Sequence, residues 1–370
     1  MPKLKTLKTD CRMLSSNWAD TKKRFVDWWS GKGVIIGNVN GFSDAVKRYH
    51  TLSCDYNNIS LTEKYTNPHK RALINHHKLI NENFPLNTLP VSDTDIGPGS
   101  LALFLGCEPL FSEDTVWFKP ISYPTLDGFD TLRFNTENKW WQITRDTLIN
   151  CKNLSENNYL VGAPDLIENL DILALLRGPE NLMMDMLDNP DKVKEKLWEI
   201  NGVWQKAYNE IYNIIKLDDG SSCSGAFRLW GPGKTMKVQC DESAMISTKM
   251  FEEFVMPPLK AQCKTLDNVM YHLDGTAAIK HLDALLDMEE MHAIEWTPEA
   301  GIESGGNKRW FEMYKKILRS GKSLQVVGIK SNEILSMLDA LGDNGIYFIC
   351  DFKNEQEAES TGDILSKHLP

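Results

Sequence analysis

The sequence lacks the long apolar run, the paired cysteines and the excess of positive charge that mark several common classes of protein. No stretch of its 370 residues approaches the roughly 18 consecutive apolar residues that a membrane-spanning helix requires. Its eight cysteines are scattered and none forms a CxxC pair, which disfavours a disulfide framework and is typical of reduced thiols in a cytoplasm. The net charge of −10 argues against a nucleic-acid partner, because nucleic-acid-binding surfaces are usually basic. We therefore expect a cytoplasmic protein with no membrane or nucleic-acid role.

Signatures of export and of dinucleotide binding are also missing. The segment Met1–Lys8 is basic but lacks the apolar core of a secretory signal. No GxGxxG motif follows any apolar segment, which removes the usual signature of a dinucleotide-binding sheet. The composition, 42% hydrophobic and 25% charged, is ordinary for a globular protein and provides for a sizeable core.

Eight short apolar segments recur along the chain, and seven of them are followed by at least one helical pattern. A strand followed by a helix is the repeating unit of a (β/α)8 barrel, a fold that often exceeds about 250 residues as one domain. We therefore predict an α/β fold, a single (β/α)8 TIM barrel over residues 1–370. An open, doubly wound sheet is the structural alternative. The predicted strands are 34–39, 89–94, 159–163, 235–240, 269–273, 293–296, 324–328 and 346–350.

Two additions to the barrel are predicted in the first half of the chain. Residues 1–32 read as an N-terminal extension that is largely helical. An insertion at about 107–157 contains two β-like segments, Thr115–Lys119 and Thr131–Phe134, separated by prolines and a glycine. We predict that these two segments form a β-hairpin.

Polar side chains stand at the ends of the predicted strands, where a (β/α)8 barrel carries its chemistry. Turns favour Asp and Asn on their own account, so a turn or helix cap is as good an interpretation for any single aspartate. Asp165 is the clearest case for a helix cap. The residues collected in this way are Asn38, Asn40, Asp93, Asp95, Asp165, Asp241, His272, Asp274, Glu295, Cys350 and Asp351.

The segment Asn268–Gly275 is the one around which the rest of the chain is arranged. His272 and Asp274 are two residues apart on a strand and therefore point to the same face. Glu295 also lies inside an apolar strand, where a charge without a partner is costly. His272 and Glu295 thus form either a satisfied buried pair or part of a metal or catalytic site. Cys350 would complete a tetrahedral His/Glu/Cys zinc site with an open position, or it is an inert buried cysteine.

Other side chains near the strand ends are candidates for binding a small-molecule substrate. Arg228 or Lys237 would anchor a carboxylate, and Asn38 and Asp95 would supply polar contacts. Three aromatic residues would either form an aromatic wall for the ligand or fill the core: Tyr271, Trp230 and Trp296.

Six motifs resemble the uroporphyrinogen decarboxylase-like superfamily, across nearly the whole chain. That superfamily includes the corrinoid-dependent methyltransferases, with cobalamin-independent methionine synthase as a distant relative. The resemblance implies a (β/α)8 barrel, in agreement with the strand count. The motifs are Gly97–Ala102, Asp171–Gly178, Trp230–Asp241, Ser243–Ser247, Phe251–Pro257 and Tyr271–Gly275.

The resemblance also distinguishes between branches of the superfamily. Uroporphyrinogen decarboxylases carry an arginine-rich N-terminal motif that clamps propionates, whereas the first predicted strand here ends in Gly37–Gly41 without an arginine. The methyltransferase branch uses a His-x-Cys zinc pair and a later cysteine. His272 matches the first position, Asp274 replaces the cysteine, and Cys350 lies near the region of the later cysteine. The resemblance therefore implies a zinc ion at His272 and a corrinoid supplied by a partner protein. The other candidate zinc ligands are Glu295 and Cys350, with Asp274 as the alternative to Cys350.

Three functional hypotheses follow, with Asp241, Asp274 and Glu295 as the catalytic candidates. In the first, the chain is a methyltransferase that acts with a corrinoid protein and a metal-bound methyl donor or acceptor. In the second, it is a metal-independent decarboxylase or lyase on a small carboxylated substrate, with Asp241 and Asp274 as acid and base. In the third, it is a non-catalytic ligand-binding relative. A glycosidase fits the paired carboxylates but not the resemblance. We expect a monomer or a homodimer.

Overall fold

The computed structural model describes residues 18–43, 59–113, 115–121, 125–129 and 131–368. Residues 1–17 of the predicted extension lie outside the described residues. The strands of the described residues are, in chain order, β1 (Val34–Asn38), β2 (Phe42–Ser43), β3 (Glu82–Asn83), β4 (Val91–Ser92), β5 (Glu108–Phe111), β6 (Val116–Lys119), β7 (Leu160–Ala163), β8 (Ser222–Ser224), β9 (Leu229–Gly231), β10 (Thr235–Gln239), β11 (Asn268–Asp274), β12 (Ala293–Thr297), β13 (Ser323–Ile329) and β14 (Ile346–Cys350).

Several helices begin at side-chain caps that the sequence provides. Asn67, Asn138 and Asn354 each accept a backbone amide from the first turn of the helix that follows. In the described residues, no helix is both long and apolar enough to cross a membrane. The helices of the same residues are α1 (Trp18–Trp29), α2 (Leu61–Thr66), α3 (Pro68–Ile80), α4 (Ser100–Phe104), α5 (Lys139–Ser155), α6 (Asn169–Arg177), α7 (Pro179–Asp188), α8 (Pro190–Ile215), α9 (Thr248–Met250), α10 (Met256–Cys263), α11 (Leu282–Leu286), α12 (Phe311–Arg319), α13 (Ile334–Leu341) and α14 (Glu355–Leu365).

Six parallel strands form the largest sheet, in the order β1-β14-β13-β12-β11-β10. Each strand except β1 neighbours the strand before or after it in this part of the chain, with helices as the connections. A second sheet has the order β4-β7-β8-β9, in which β4, β7 and β8 are parallel. All eight predicted segments are therefore strands, in an order consistent with a TIM barrel.

The two sheets approach each other at both edges, although no ladder of strand pairs joins them in the described part of the chain. Beside β1, the amide of Asn87 donates to the carbonyl of Ile36 (2.9 Å), and the amide of Asn38 donates to Oγ1 of Thr88 (3.0 Å). Beside β10, the amide of Thr235 donates to Oγ of Ser222 (3.1 Å). Short polar contacts thus replace the ladder at these two edges.

The six-stranded sheet has two different faces because its side chains alternate along each strand. One face packs against the helices in a large apolar cluster that includes Val238, Leu273 and Phe348. The other face contributes to a smaller cluster that draws on both sheets, including Leu160 of β7 and Met270 of β11. This second cluster is the interior that the two sheets enclose.

Helix α1 packs against the amino-terminal end of that interior. Phe25 and Trp28 are fully buried in the smaller cluster. Nε1 of Trp28 donates to the carbonyl of Leu324 at the start of β13 (3.2 Å), and Nε1 of Trp29 donates to the carbonyl of Trp230 (2.9 Å). The candidate functional side chains lie at the opposite end, where the strands finish.

A hairpin is present in the predicted insertion, but one of its two strands is not the predicted one. Val116–Lys119 pairs antiparallel with Glu108–Phe111, and residues 131–134 form no strand. The turn is closed by Ser112, whose amide and hydroxyl both bond to the carbonyl of Thr115. This local turn forms a hairpin at less entropic cost than closure across the proline-rich segment would require.

Candidate functional site

Three potential metal ligands converge at the carboxyl ends of β10 and β11. Asp241, His272 and Asp274 each offer a ligating atom, and these atoms lie within 4.8 Å of one another. The convergence follows from register, because Gln239 pairs with His272 and the two aspartates lie two residues beyond. Asp241 and Asp274 are exposed and His272 is half-buried. We call these three residues the acid–histidine triad.

Glu295 braces the imidazole of His272 from the neighbouring strand. The two residues are paired in register, and Oε2 of Glu295 is hydrogen-bonded to Nδ1 of His272. Oε1 of Glu295 accepts a hydrogen bond from Oγ1 of Thr297 (2.7 Å), so both carboxylate oxygens are satisfied although the residue is fully buried. Burial alone would lower the pKa of His272, but the charge and hydrogen bond of Glu295 raise it overall. This contact leaves Nε2 of His272 for a ligand.

Asp241 lies where several acidic groups are crowded together. Burial by the surrounding protein atoms and the neighbouring Asp171 raise the pKa of Asp241 to about 7, although His272 and Lys237 oppose the shift. Nε2 of Gln239 donates to Oδ2 of Asp241 (2.7 Å). The carboxylate of Asp171 accepts the amides of Asp241 and Glu242 (2.9 and 3.0 Å) and so holds the end of β10 in place. A group with a pKa near 7 exchanges protons readily at neutral pH.

Lys237 is fully buried, and Asp165 neutralises it. Its Nζ lies 2.7 and 2.9 Å from the two carboxylate oxygens of Asp165, and it also donates to Oε1 of Gln239. Burial would lower the pKa of Lys237, but the carboxylates of Asp165 and Glu168 raise it above its ordinary value. Asp165 is therefore an ion-pair partner and does not cap a helix, since α6 begins four residues later, after Glu168. A lysine bound in this way does not serve as the predicted anchor for a substrate carboxylate.

A cavity of about 430 Å³ lies beside the triad and contains two of the predicted binding residues, Asp95 and Arg228. Phe227 separates the cavity from the triad. It lines the cavity, and its ring centroid lies 4.6 Å from that of His272. Nε and Nη1 of Arg228 donate to the carbonyls of Val39 and Gly225 (2.8 and 3.0 Å).

Phe227 and Arg228 adopt backbone conformations that are strained for residues with side chains. Their φ angles are +56° and +50°, in the left-handed region. The turn is held from the opposite side of the interior: Nε2 of Gln325 donates to the carbonyl of Phe227 (2.9 Å), and the hydroxyl of Tyr347 donates to the carbonyl of Arg228 (3.3 Å). Such strain persists where surrounding contacts fix it, and it concentrates at functional sites.

Four of the residues predicted for the site are not brought to it. Tyr271, Trp296 and Cys350 are fully buried in the cluster that faces the helices, because each occupies the opposite phase of its strand from the inward side chains. Burial raises the pKa of the Cys350 thiol, which disfavours the thiolate that a metal requires. Trp230 lies in the interior cluster, edge to face with Trp18 and Phe25 of α1. These four side chains fill the core.

Asn38 is at the end of β1, but its side chain makes a local contact. Nδ2 of Asn38 donates to the carbonyl of Asn40 (3.0 Å). The candidates that the structure does assemble are therefore Asp241, His272 and Asp274, with Glu295 behind them. Sequence reasoning missed Phe227, Asp171 and Glu168. Both acids follow a predicted strand, and Asp171 also begins one of the motifs that carry the resemblance.

The donor set of the triad fits a divalent cation with nitrogen and oxygen ligands better than it fits a zinc ion with thiolate ligands. One imidazole and two carboxylates offer nitrogen and oxygen ligands, as many Zn²⁺, Mn²⁺ and Fe²⁺ sites do. The cysteine expected two residues after His272 is Asp274, and Cys350 faces the helices. Burial, together with the neighbouring Asp171, raises the pKa of Asp241, and a bound cation would favour its ionised form.

The comparisons with solved structures concern the fold. The chain matches a methyltransferase from Methanosarcina mazei with a TM-score of 0.60 and 14% identity, over 94% of this chain and 99% of that one. It has the fold of that methyltransferase. The resemblance implied a (β/α)8 barrel, and the match is consistent with a fold of that kind. A B12-independent methionine synthase from Shewanella sp. W3-18-1 aligns at a TM-score of 0.45 and 9% identity, over 91% of this chain and 98% of that one. No family model matches the chain, and no curated protein matches it.

Proposed function

We propose that the chain is a methyltransferase whose reaction centre is the acid–histidine triad, with a divalent cation held by Asp241, His272 and Asp274. The observation that carries the proposal is the convergence of three ligating atoms within 4.8 Å at the carboxyl ends of adjacent strands. Barrel enzymes place their chemistry at this end. The sequence resemblance and the shared fold support methyl transfer as the class of reaction.

Each residue of the centre has a distinct role in the proposal. The carboxylate of Glu295 accepts a hydrogen bond from Nδ1–H of His272. This contact fixes the ring and directs Nε2 toward the other two residues of the triad. Burial and the neighbouring Asp171 raise the pKa of Asp241 to about 7 without a cation, so its carboxyl would give up a proton when it becomes a ligand. When bound, the cation supplies a Lewis acid that polarises the acceptor. Because Asp274 replaces a thiolate, we propose nitrogen and oxygen coordination, with zinc as one candidate.

The methyl carrier in this proposal is a corrinoid on a separate protein. Asp241 and Asp274 are exposed, so a bulky carrier can approach the triad from solvent. We further propose that the two sheets are arcs of one (β/α)8 barrel in a single domain. The contacts of Ile36 with Asn87 and of Thr235 with Ser222 support closure at both edges.

A second candidate, a metal-independent lyase, is favoured by one observation. Asp241 has a pKa near 7 and lies beside Asp274, as an acid–base pair requires. The expected carboxylate anchors are less suited to this role, because Asp165 neutralises Lys237 and backbone carbonyls hold Arg228. We therefore place methyl transfer first.

The test measures methyl transfer from methylcob(III)alamin to a panel of thiol and amine acceptors, before and after chelation and reloading with Zn²⁺ or Mn²⁺. The methyl group leaves as a cation equivalent and cobalt keeps the electron pair, so the visible spectrum reports turnover. We expect activity to require the cation and to fall by about 100-fold or more in His272→Ala and Asp274→Asn. Asp283→Asn, an exposed aspartate whose side chain is 75% exposed, serves as the matched control.

Two results would decide against the proposal. Methyl transfer that survives chelation would contradict the role of the cation, and its loss in Asp241→Asn would then assign acid–base chemistry to that residue. Wild-type protein that takes up no cation and transfers no methyl group would contradict the methyltransferase.

A further inference from the structure

The cavity beside the triad has an apolar wall and an acidic end. Val327 and Ile349, inward residues of β13 and β14, form part of the wall, and Phe227 adds an aromatic ring. Asp93 and Asp95 form the acidic end. At about 430 Å³, the cavity has the size of a small-molecule site.

Two of the three carboxyl groups at the acidic end form ion pairs with basic side chains. Asp93 lies 3.4 Å from Arg71, and Asp165 lies 2.7 Å from Lys237. Asp95 is the third carboxyl of this group, and no basic side chain of the described residues forms an ion pair with it. Its Oδ1 accepts the backbone amide of Asp165. Asp95 thus has a hydrogen bond but no ion pair in the described part of the chain.

The other oxygen of Asp95 borders the cavity. Its Oδ2 lies 3.9 Å from the position that a Cβ on Gly225 would occupy, and Gly225 also lines the cavity. The absence of a side chain at Gly225 leaves this oxygen accessible. The guanidinium of Arg228 also lines the cavity, where the carbonyls of Val39 and Gly225 hold it, and among the described residues it forms no ion pair with Asp95.

We propose that this cavity binds a small alkylated amine in its ammonium form, with the positive charge against Asp95 and the alkyl groups against Phe227, Val327 and Ile349. An ammonium ion supplies an ion-pair partner for Asp95. The aromatic face of Phe227 and the aliphatic wall suit methyl or ethyl groups better than a hydrated metal ion. The inference deepens the proposed function by naming the class of molecule handled next to the triad, and rests on it to that extent.

Binding should release a proton at neutral pH. Burial, with the charges of Asp93 and Asp165, raises the pKa of Asp95 to about 8, while the Asp165 amide and Arg71 oppose the shift. The empty cavity therefore holds a mostly protonated Asp95 at pH 7. An ammonium ion beside it would lower that pKa and expel the proton.

The experiment is calorimetric titration of the purified full chain with tetramethylammonium at pH 7, in two buffers of different ionisation enthalpy. tert-Butanol, which is similar in shape but neutral, is the comparison ligand. We expect tetramethylammonium to bind with proton release and tert-butanol to bind at least about tenfold more weakly. Equal affinity for the two ligands, or no binding of tetramethylammonium, would overturn the proposal.

Variants locate the site. Asp95→Asn should weaken tetramethylammonium binding by roughly tenfold or more and abolish proton release, whereas Asp191→Asn, a fully exposed aspartate, should change neither. Val327→Phe should block binding by filling the cavity. Unchanged binding in Asp95→Asn would overturn the assignment. Cation content measured on the same proteins separates this failure from that of the proposed function, since Asp95→Asn should still load the triad.

Discussion

At the scale of single residues, the structure depends on charges buried in pairs on the inner face of the sheet. Lys237 is fully buried, and the side chain of Asp165 is only 14% exposed. Removing one member of such a pair leaves the other charge buried without a partner, which costs free energy. The same argument applies to His272 and Glu295, which also face inward from adjacent strands.

We predict that Lys237→Met lowers the free energy of unfolding by about 3–5 kcal/mol, because Asp165 is left buried without its cation. The double variant Lys237→Met/Asp165→Asn should recover a large part of that loss. Urea denaturation followed by circular dichroism measures both. A single variant as stable as wild type would show that the ion pair contributes nothing.

Asp95 should give stability a dependence on pH. Its pKa is raised from an ordinary value of 3.8 to about 8 in the folded chain. Between these values the unfolded chain has lost this proton and the folded chain keeps it. Asp95 therefore destabilises the fold progressively as pH rises from about 4 to about 8, by at most about 1.4 kcal/mol per pH unit.

We predict that Asp95→Asn removes this contribution, so its stability relative to wild type increases from pH 5 to pH 8. Urea midpoints of both proteins at pH 5, 6, 7 and 8 provide the measurement, with Asp191→Asn as control. A difference that stays constant with pH would contradict the raised pKa.

The residues of the candidate site could be predicted where polar and apolar side chains alternate, because the alternation shows which face of the strand each residue occupies. In Asn268–Asp274, the polar residues at 272 and 274 define one face, and the structure places both in the triad. The same alternation assigns Tyr271 to the opposite face, where it lies. In Ile346–Cys350 every side chain is apolar and buried, so the sequence does not reveal which face Cys350 occupies.

At the scale of elements, α1 is a structural component of the interior. Its buried residues Phe25 and Trp28 lie edge to face with Tyr347 of β14, and Phe25 also lies edge to face with Trp230 of β9 in the second sheet. The helix therefore ties the two sheets together at their amino-terminal end. The sequence predicted a helix here from its aromatic spacing, but not the surface that the helix covers.

We predict that Trp28→Ala costs about 3–5 kcal/mol of unfolding free energy, because it leaves a large cavity in the interior cluster. Trp117→Ala is the matched control: this tryptophan is 66% exposed on β6, and its loss should change stability by no more than about 0.5 kcal/mol. Thermal or urea unfolding measures both. Similar effects for the two variants would mean that α1 does not stabilise the interior.

The turn that carries Phe227 and Arg228 could not be predicted locally. Its left-handed residues are fixed by Gln325 and Tyr347, about 100 residues or more away in the chain. The short strand β8 that leads into it pairs through only two residues of β7. Long-range contacts of this kind leave no periodic signal in the sequence.

At the scale of the whole molecule, the rhythm of strand and helix predicted the mixed α/β fold with its parallel sheet, and all eight predicted segments contain strands. Errors fell where the rhythm is interrupted, as in the hairpin of β5 and β6, for which 115–119 was predicted correctly and the other strand was wrongly placed at 131–134. The two faces of the sheet therefore have different roles. Apolar side chains facing the helices stabilise the structure, and polar side chains at the strand ends form the site.

The central claim is that Asp241, His272 and Asp274 hold one divalent cation at the carboxyl ends of β10 and β11. The most direct measurement is anomalous diffraction from crystals of the wild-type protein soaked in Mn²⁺. We predict an anomalous peak in contact with both carboxylates and with the His272 nitrogen on the side away from Glu295. Crystals that show no peak there, or a peak that His272 does not contact, would contradict the account.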